Sequence, residues 1–196
     1  MREVKPISDE NIEDIAQYLK SKNERDYVMF MFMLHTGLRI SDVLKLKIVD
    51  VVNKKTIYMQ EQKTGKWKEI ELSSRLKHIL KEYCEGKDPN EYLIKSRKGY
   101  NNPLQRDRAY KIIRIASEKH GLKRVGCHST RKTFGRRYYK KYGDIEELRR
   151  YFNHSNSGIT LRYIGLEQEV INKHVKGLWD SYIGMKDTYG RACIFH

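Results

Sequence analysis

The chain has 196 residues, 39% of them hydrophobic and 33% charged, enough for one sizeable core or two small ones, which excludes a large multidomain machine and a disordered tail. Forty Lys and Arg against 25 Asp and Glu leave a net charge of +15, which points to a polyanionic partner: DNA, RNA or an anionic membrane surface. The excess is regional, with −1 over residues 1–50, +5 over 51–100, +10 over 101–150 and +1 over 151–196, as expected of a binding face.

The first segment, SDENIEDIAQYLKSK, sets Ile12, Ile15, Ala16 and Leu19 at i, i+3, i+4 and i+7 behind Ser8 and Asp9, and predicts an amphipathic helix. RDYVMFMFMLHT is apolar nearly all round, so it predicts a central helix that stops at Gly37. ISDVLKL offers a short third helix with Ser41 as its cap. Between residues 51 and 72 the period changes. TIYMQE and KWKEIEL flank the polar turn Gln62-Lys63-Thr64-Gly65-Lys66, which predicts a β-hairpin. RLKHILKEY returns to helical spacing with Leu76, Ile79, Leu80 and Tyr83. A loop from Gly86 to Asn102, broken by a short Tyr92-Leu93-Ile94 strand, leads to a helix from Pro103 to Lys119 that turns Ala109, Ile112, Ile113 and Ala116 inward. STRKTFGRRYYKKY, DIEELRRYF and SGITLRYIG follow as helices, the last running into EQEVINKHV. The expected fold is therefore mainly α with a small antiparallel β-sheet, an α+β domain over residues 1–178. Residues 179–196 form a tail without a clean period.

Cys84, Cys127 and Cys193 are widely separated and odd in number, so they indicate neither a disulfide framework nor a zinc cluster and suit a reducing cytosol. No run of about 18 apolar residues occurs. The expected location is cytoplasmic, with no membrane role, no metal and no cofactor.

Several basic and nucleophilic side chains stand at the ends of predicted elements. Arg39 stands between a helix stop and a helix start, Lys63 at the hairpin tip, and His128 and Arg131 at i and i+3 where a helix begins. His154 follows EELRRYF, and Tyr163 lies nine residues later. With 14 tyrosines in the chain, composition alone does not single out Tyr163.

Taken in order, these segments resemble the tyrosine recombinase, or phage integrase, family. Thr36-Gly37-Leu38-Arg39-Ile40-Ser41-Asp42 is similar to its first arginine box, and Lys63-Thr64-Gly65 to its hairpin lysine, although Lys66 and Lys68 share the hairpin. His128-Ser129-Thr130-Arg131 resembles the H-x-x-R box. Phe152-Asn153-His154-Ser155 resembles L-G-H-S with departures at Phe152 and Asn153, and Leu161-Arg162-Tyr163 resembles the nucleophile segment. The resemblance implies a mainly α catalytic domain that cleaves and rejoins double-stranded DNA through a covalent 3′-phosphotyrosyl intermediate. It implies that Arg39 and Arg131 grip the scissile phosphate, Tyr163 attacks, His128 assists its deprotonation, Lys63 protonates the 5′ oxygen and His154 donates to a nonbridging oxygen. Asp42 would orient His128 or the arginines.

The cations Lys123, Arg124, Lys132, Arg136, Arg137, Lys140 and Lys141 around the H-x-x-R box, with Arg106, Arg108, Lys111 and Arg114 on the preceding helix, are expected to contact the DNA backbone. The sequence begins almost directly at the catalytic domain's first helix, as in small family members that lack an N-terminal clamping module. Affinity would then depend on assembly into a tetramer on paired sites from a monomer in free solution, on an accessory DNA-bending protein, or on another recombinase. Val170, Ile171, His174, Val175, Leu178 and Trp179 offer a docking stripe for a neighbouring subunit or pack back in cis. Three other readings stay open: a recombinase-like DNA-binding regulator without strand exchange, a type IB topoisomerase-like cleavage and religation activity, and a helical protein that meets a protein partner.

Overall fold

The computed structural model describes residues 4–180. The expected tail lies outside the described residues from 181 onward. The elements run α1 (Asp9–Lys22), α2 (Glu24–Thr36), α3 (Ile40–Val43), α4 (Ile48–Val51), β1 (Thr56–Gln60), β2 (Trp67–Glu71), α5 (Ser74–Cys84), α6 (Arg106–Lys119), α7 (Cys127–Tyr142), α8 (Ile145–Phe152), α9 (Ser157–Ile164) and α10 (Glu167–Asp180). The fold is mainly α with one small antiparallel sheet, as the sequence predicts.

α2 is the axis of the larger core and packs against α1, α5 and α7. Val28, Met29, Phe30, Phe32 and Met33 are wholly buried on it, each such side chain contributing about 1.5–3 kcal/mol by leaving water. The Asn23 side chain accepts from the Arg25 N–H at its start. At its end Gly37 turns left-handed (φ 60°), and a Cβ there would lie 2.5 Å from the Phe134 ring of α7. Only glycine both ends this helix and admits that ring.

β1 and β2 pair in antiparallel register with Met59 opposite Lys68 and Gln60 opposite Trp67. Ile57, Met59 and Ile70 point inward, while Tyr58 and Trp67 face solvent. The phase of β1 carries Glu61 inward as well.

A second, smaller cluster consists of Leu148, Phe152, Ile164 and Leu166, covered by Phe134, Tyr138, Tyr139, Ile145, Tyr151, Tyr163 and Val170. It joins α8 and α9 to α7 through a close approach at Gly135, whose added Cβ would lie 2.7 Å from Ile164 and 2.8 Å from Phe152.

Several local expectations are corrected. Ser41 lies inside α3 rather than capping it, and Arg39 occupies the N-cap position. The Tyr92–Ile94 strand reduces to an isolated bridge between Tyr92 and Lys47. α6 starts at Arg106, because Pro103 is held in a bridge with Lys95 and Gln105 is the N-cap. Among the docking-stripe residues Val170 packs on the smaller cluster, whereas Ile171, Val175 and Leu178 are 48%, 51% and 65% exposed. Among the described residues no helix is long and apolar enough to cross a membrane.

Candidate active site

Arg39, Lys63, His128 and Arg131 line one cleft of about 790 Å³, together with Gln62, Arg106 and Cys127. The turn after α2 supplies Arg39, the hairpin supplies Lys63, and the first turn of α7 supplies His128 and Arg131. Arg131 is 2% exposed, and its Nη1 donates to Gly37 O at 2.6 Å and its Nη2 to Phe152 O at 3.2 Å. Arg39 Nη2 donates to the same Phe152 carbonyl at 3.4 Å. One backbone oxygen at the end of α8 thus gathers both guanidinium groups. Arg39 Nη1 is buried and makes no aligned hydrogen bond, though it lies 3.1 Å from Glu61 Oε1.

His154 and Tyr163 border this arrangement from the other side. Asn153 ends α8 in the left-handed region (φ 55°, ψ 42°), where Asn is one of the few non-glycine residues found readily. The turn it makes presents His154, whose Nδ1 lies 3.1 Å from Thr160 Oγ1 and whose ring meets that of Tyr163 edge-on at 5.2 Å. Tyr163 Oη is buried and faces the Arg131 guanidinium without a well-aligned hydrogen bond. Its ring lies 5.7 Å from that of Phe152, which is itself stacked under the Arg131 guanidinium at 4.1 Å.

The electrostatics follow from this crowding. Burial pushes the His154 pKa down, and the charges of Arg131, Arg39 and Lys63 push it further, from 6.5 to about 4. His128 is lowered by burial and then by Arg106, Arg131, Arg39 and Lys132. Both imidazoles are neutral at pH 7, so each has a nitrogen free to accept a proton. Burial raises the Tyr163 pKa against the opposing pull of Arg131 and Arg39. A phenol facing two guanidinium groups, with the neutral His154 imidazole against its ring, suits attack on an anion whose charge the guanidiniums neutralise. Among the described residues no group of three or more His, Cys, Asp or Glu is placed to hold a metal ion.

Other candidate residues sit differently. Asp42 is fully buried and its Oδ1 accepts from the Gln62 N–H at 2.9 Å, so it holds the base of the hairpin turn instead of orienting His128 or an arginine. Lys132, expected on the DNA face, is 6% exposed, with its ammonium 5.4 Å from the Tyr163 ring. Arg106 opens α6 into the cleft, while Arg108 and Lys111 lie exposed further along and Arg114 pairs with Glu118 at 3.5 Å. Lys123 and Arg124 are exposed between α6 and α7. On the far part of α7, Arg136 reaches Gly165 O at 3.4 Å and Arg137 pairs with Asp9 at 2.5 Å, both lining with Lys140 a recess beside Pro6 and Ile7, and Lys141 is exposed.

Sequence reasoning missed Glu61. Its fully buried carboxylate lies 3.0 Å from Lys68 Nζ and accepts from Thr64 Oγ1 at 2.8 Å and from Asn153 Nδ2 at 2.7 Å. Burial would raise its pKa, but Lys68, the Thr64 hydroxyl and Arg39 outweigh that and hold it at about 2. The signal was present: Glu61 continues the inward phase of Ile57 and Met59. Lys68 is likewise drawn inward, over the Tyr151 ring at 4.0 Å, which leaves Lys63 as the hairpin lysine that faces the cleft.

Comparison with known proteins identifies the family and the fold. The profile of the phage integrase family matches residues 5–169. A probable integrase/recombinase of Bacillus subtilis (strain 168), YoeC, is 44% identical over 170 residues, covering 86% of this chain and 93% of the relative. A probable integrase/recombinase of Acholeplasma phage L2 is 31% identical over 166 residues, covering 79% of this chain but 55% of its own length. The crystal structure of XerA recombinase superposes with a TM-score of 0.71 at 21% identity over 91% of this chain and 66% of that one, a likeness of fold. With that family match over most of its length and a 44% identical relative, and with Arg39, His128 and Arg131 in one cleft, the chain belongs to the phage integrase family of tyrosine recombinases.

Proposed function

We propose that residues 1–178 are a catalytic domain that performs site-specific recombination of double-stranded DNA by cleaving and rejoining strands through a 3′-phosphotyrosyl intermediate. The observation that carries this reading is the convergence of Arg39 and Arg131 on the Phe152 carbonyl, with the buried Tyr163 hydroxyl facing the same two guanidinium groups. Two guanidinium forks then hold the nonbridging oxygens of a scissile phosphate and stabilise charge gained in the transition state. Tyr163 Oη forms the bond to phosphorus as the bond to the 5′ oxygen breaks. Neutral His128 takes the phenolic proton, and Lys63 returns a proton to the departing oxygen. The arriving phosphate offsets the cations that depress His154, which then donates to a nonbridging oxygen. The phosphodiester energy is retained in the tyrosyl ester, so the 5′ hydroxyl of another strand reverses the step.

Reciprocal exchange between two duplexes needs four cleavages, hence four copies on paired sites, assembled from a monomer in free solution. The exposed Ile171, Val175 and Leu178 of α10 supply an apolar surface for that assembly, and an accessory bending protein would bring the sites together. The reading places the chain in the cytoplasm with DNA. The relevant assay offers supercoiled plasmids carrying paired segments of the DNA that flanks the chain's own coding sequence. Recombined products support recombination, relaxation without exchange indicates topoisomerase-like action, and duplex binding without either indicates a regulator.

A further inference from the structure

Glu61 is a wholly buried carboxylate among the cations of a site built for an anion, and the phosphate chemistry above makes no use of it. Each of its contacts reaches a different part of that site. Oε1 lies 3.1 Å from Arg39 Nη1 and 3.0 Å from Lys68 Nζ. Oε2 accepts from Thr64 Oγ1, inside the turn that presents Lys63, and from Asn153 Nδ2, next to His154. The backbone of Glu61 closes the same turn, donating to Lys66 O and accepting from the Gly65 N–H, both at 2.9 Å.

Asn153 adds a second, independent feature. Its left-handed backbone alone would suit glycine, yet the chain places here a side chain that donates to Glu61. A separate bond, from Lys68 to the Tyr151 carbonyl, joins the hairpin to the end of α8 and not to the turn that presents His154.

We propose that Glu61 and Asn153 form a carboxylate–amide clasp that positions the Arg39 guanidinium and the Lys63 turn relative to His154. Glu61 turns one edge of Arg39 toward itself, so the remaining N–H groups are fixed in direction before DNA arrives. The inference rests on the reading that Arg39 and Lys63 act on the scissile phosphate. Neither Glu61 nor Asn153 touches the reacting atoms; both are positioning residues. Misplacement of a reacting group by about 1 Å costs up to about a hundredfold in rate.

The test compares Glu61→Gln, Asn153→Gly and the double variant with the wild-type chain. Glycine accepts the left-handed backbone, so Asn153→Gly removes the amide without disturbing the turn, and it serves if Glu61→Gln does not fold. Single-turnover cleavage is read at saturating concentrations of whichever nicked duplex the wild-type chain cleaves, tiled from the DNA flanking its coding sequence. Each single variant is expected to lose about tenfold or more in rate with duplex affinity within about threefold of wild type, and the double variant to be no more than about threefold slower than Glu61→Gln. A duplex with sulfur in place of the 5′ bridging oxygen has a leaving group that needs no proton, so it is expected to restore part of the rate to both variants. Hydrogen exchange in the free proteins is expected to accelerate at the Gly65 amide and stay unchanged in α1 and α2. Wild-type cleavage at saturation, additive losses, or unchanged exchange at Gly65 in Asn153→Gly would each overturn the clasp. Absence of any Tyr163 adduct in the wild-type chain would instead overturn the functional reading, and the exchange result then decides the clasp by itself.

Discussion

The two cores of this molecule are built differently, and the active site lies between them. The larger one is filled by aliphatic, methionine and phenylalanine side chains around α2, and it carries Arg39 and the hairpin of Lys63. The smaller one buries only Leu148, Phe152, Ile164 and Leu166 completely, under a cover of half-exposed aromatic rings, and it carries His154 and Tyr163. Local stability follows the density of buried apolar contacts, so the smaller core opens at lower free-energy cost than the larger. What ties it down is largely polar. Arg39 and Arg131 bond to Phe152 O, Tyr151 Oη donates to Thr36 O at 2.5 Å, Lys68 reaches the Tyr151 carbonyl, and Asn153 reaches Glu61. The cations assigned to the phosphate therefore also hold the nucleophile's own support in place.

That difference predicts unequal arginines. Arg131→Ala removes the Gly37 carbonyl's buried donor and leaves Phe152 O with only the longer Arg39 bond, and should cost about 2–4 kcal/mol of stability as well as more than tenfold in cleavage. Arg39→Ala, whose bond to Phe152 is longer and whose side chain is less buried, should lose as much cleavage with a smaller shift in melting temperature. Equal stability losses would remove the distinction between the two. Saturating single-turnover rates separate both effects from mere anchoring, since normal cleavage at saturation would make the arginines phosphate tethers only.

The junction between the cores is sharpened by Gly135→Ala. The added methyl would lie within 3 Å of Ile164 and Phe152, and overpacking of that kind costs about 1–3 kcal/mol. Hydrogen exchange should rise in α8 and α9 and remain low in α2. Uniform acceleration would show that the two cores unfold as one unit.

Acidification should loosen the smaller core first. The folded-state pKa of His154 is below its unfolded value, so the folded chain binds fewer protons between pH 6.5 and about 4. The associated stability is complete above pH 6.5 and is lost as pH falls toward 4, with His128 contributing in the same direction. Glu61 acts lower, between about pH 4.5 and 2. His154→Gln should flatten the melting-temperature profile between pH 6.5 and 4, and an unchanged slope would contradict the assignment.

The smallest expected effect concerns the outer cations. Arg106→Ala should weaken binding to specific and nonspecific duplexes alike and lower the salt slope by about 1. Arg136→Ala with Arg137→Ala should do less, because Arg137 already pairs with Asp9 and Arg136 reaches Gly165. A larger loss from that pair would place the far end of α7 on the DNA.

Periodicity made α1, α5 and α6 legible, since one helical face of each enters the core, α2 was legible from its nearly all-round apolar run, and the polar turn marked the hairpin. The four-residue α4 was not legible, because one turn of Ile48–Val51 carries no period of its own and is held by bonds to residues 89 and 91. The boxes single out Arg39, Lys63, His128, Arg131, His154 and Tyr163 as candidates because their order along the chain is characteristic. Partners reached across the fold were beyond such reading. Asp42 bonds to Gln62, Asn153 to Glu61 and both arginines to Phe152 O, contacts that exist only once the two cores meet. The inward turn of Lys132 was not legible, because a charge run looks alike from sequence whether a member faces solvent or turns inward.

The most direct test of the account is denaturing electrophoresis and peptide mapping after incubation with nicked duplexes tiled from the flanking DNA, comparing the wild-type chain with Tyr163→Phe. The account predicts a denaturation-resistant protein–DNA adduct mapped to Tyr163 in the wild-type chain, and none in the variant despite retained duplex binding. An adduct at wild-type level in Tyr163→Phe, or one mapped to Tyr138, Tyr139 or Tyr151, would contradict it.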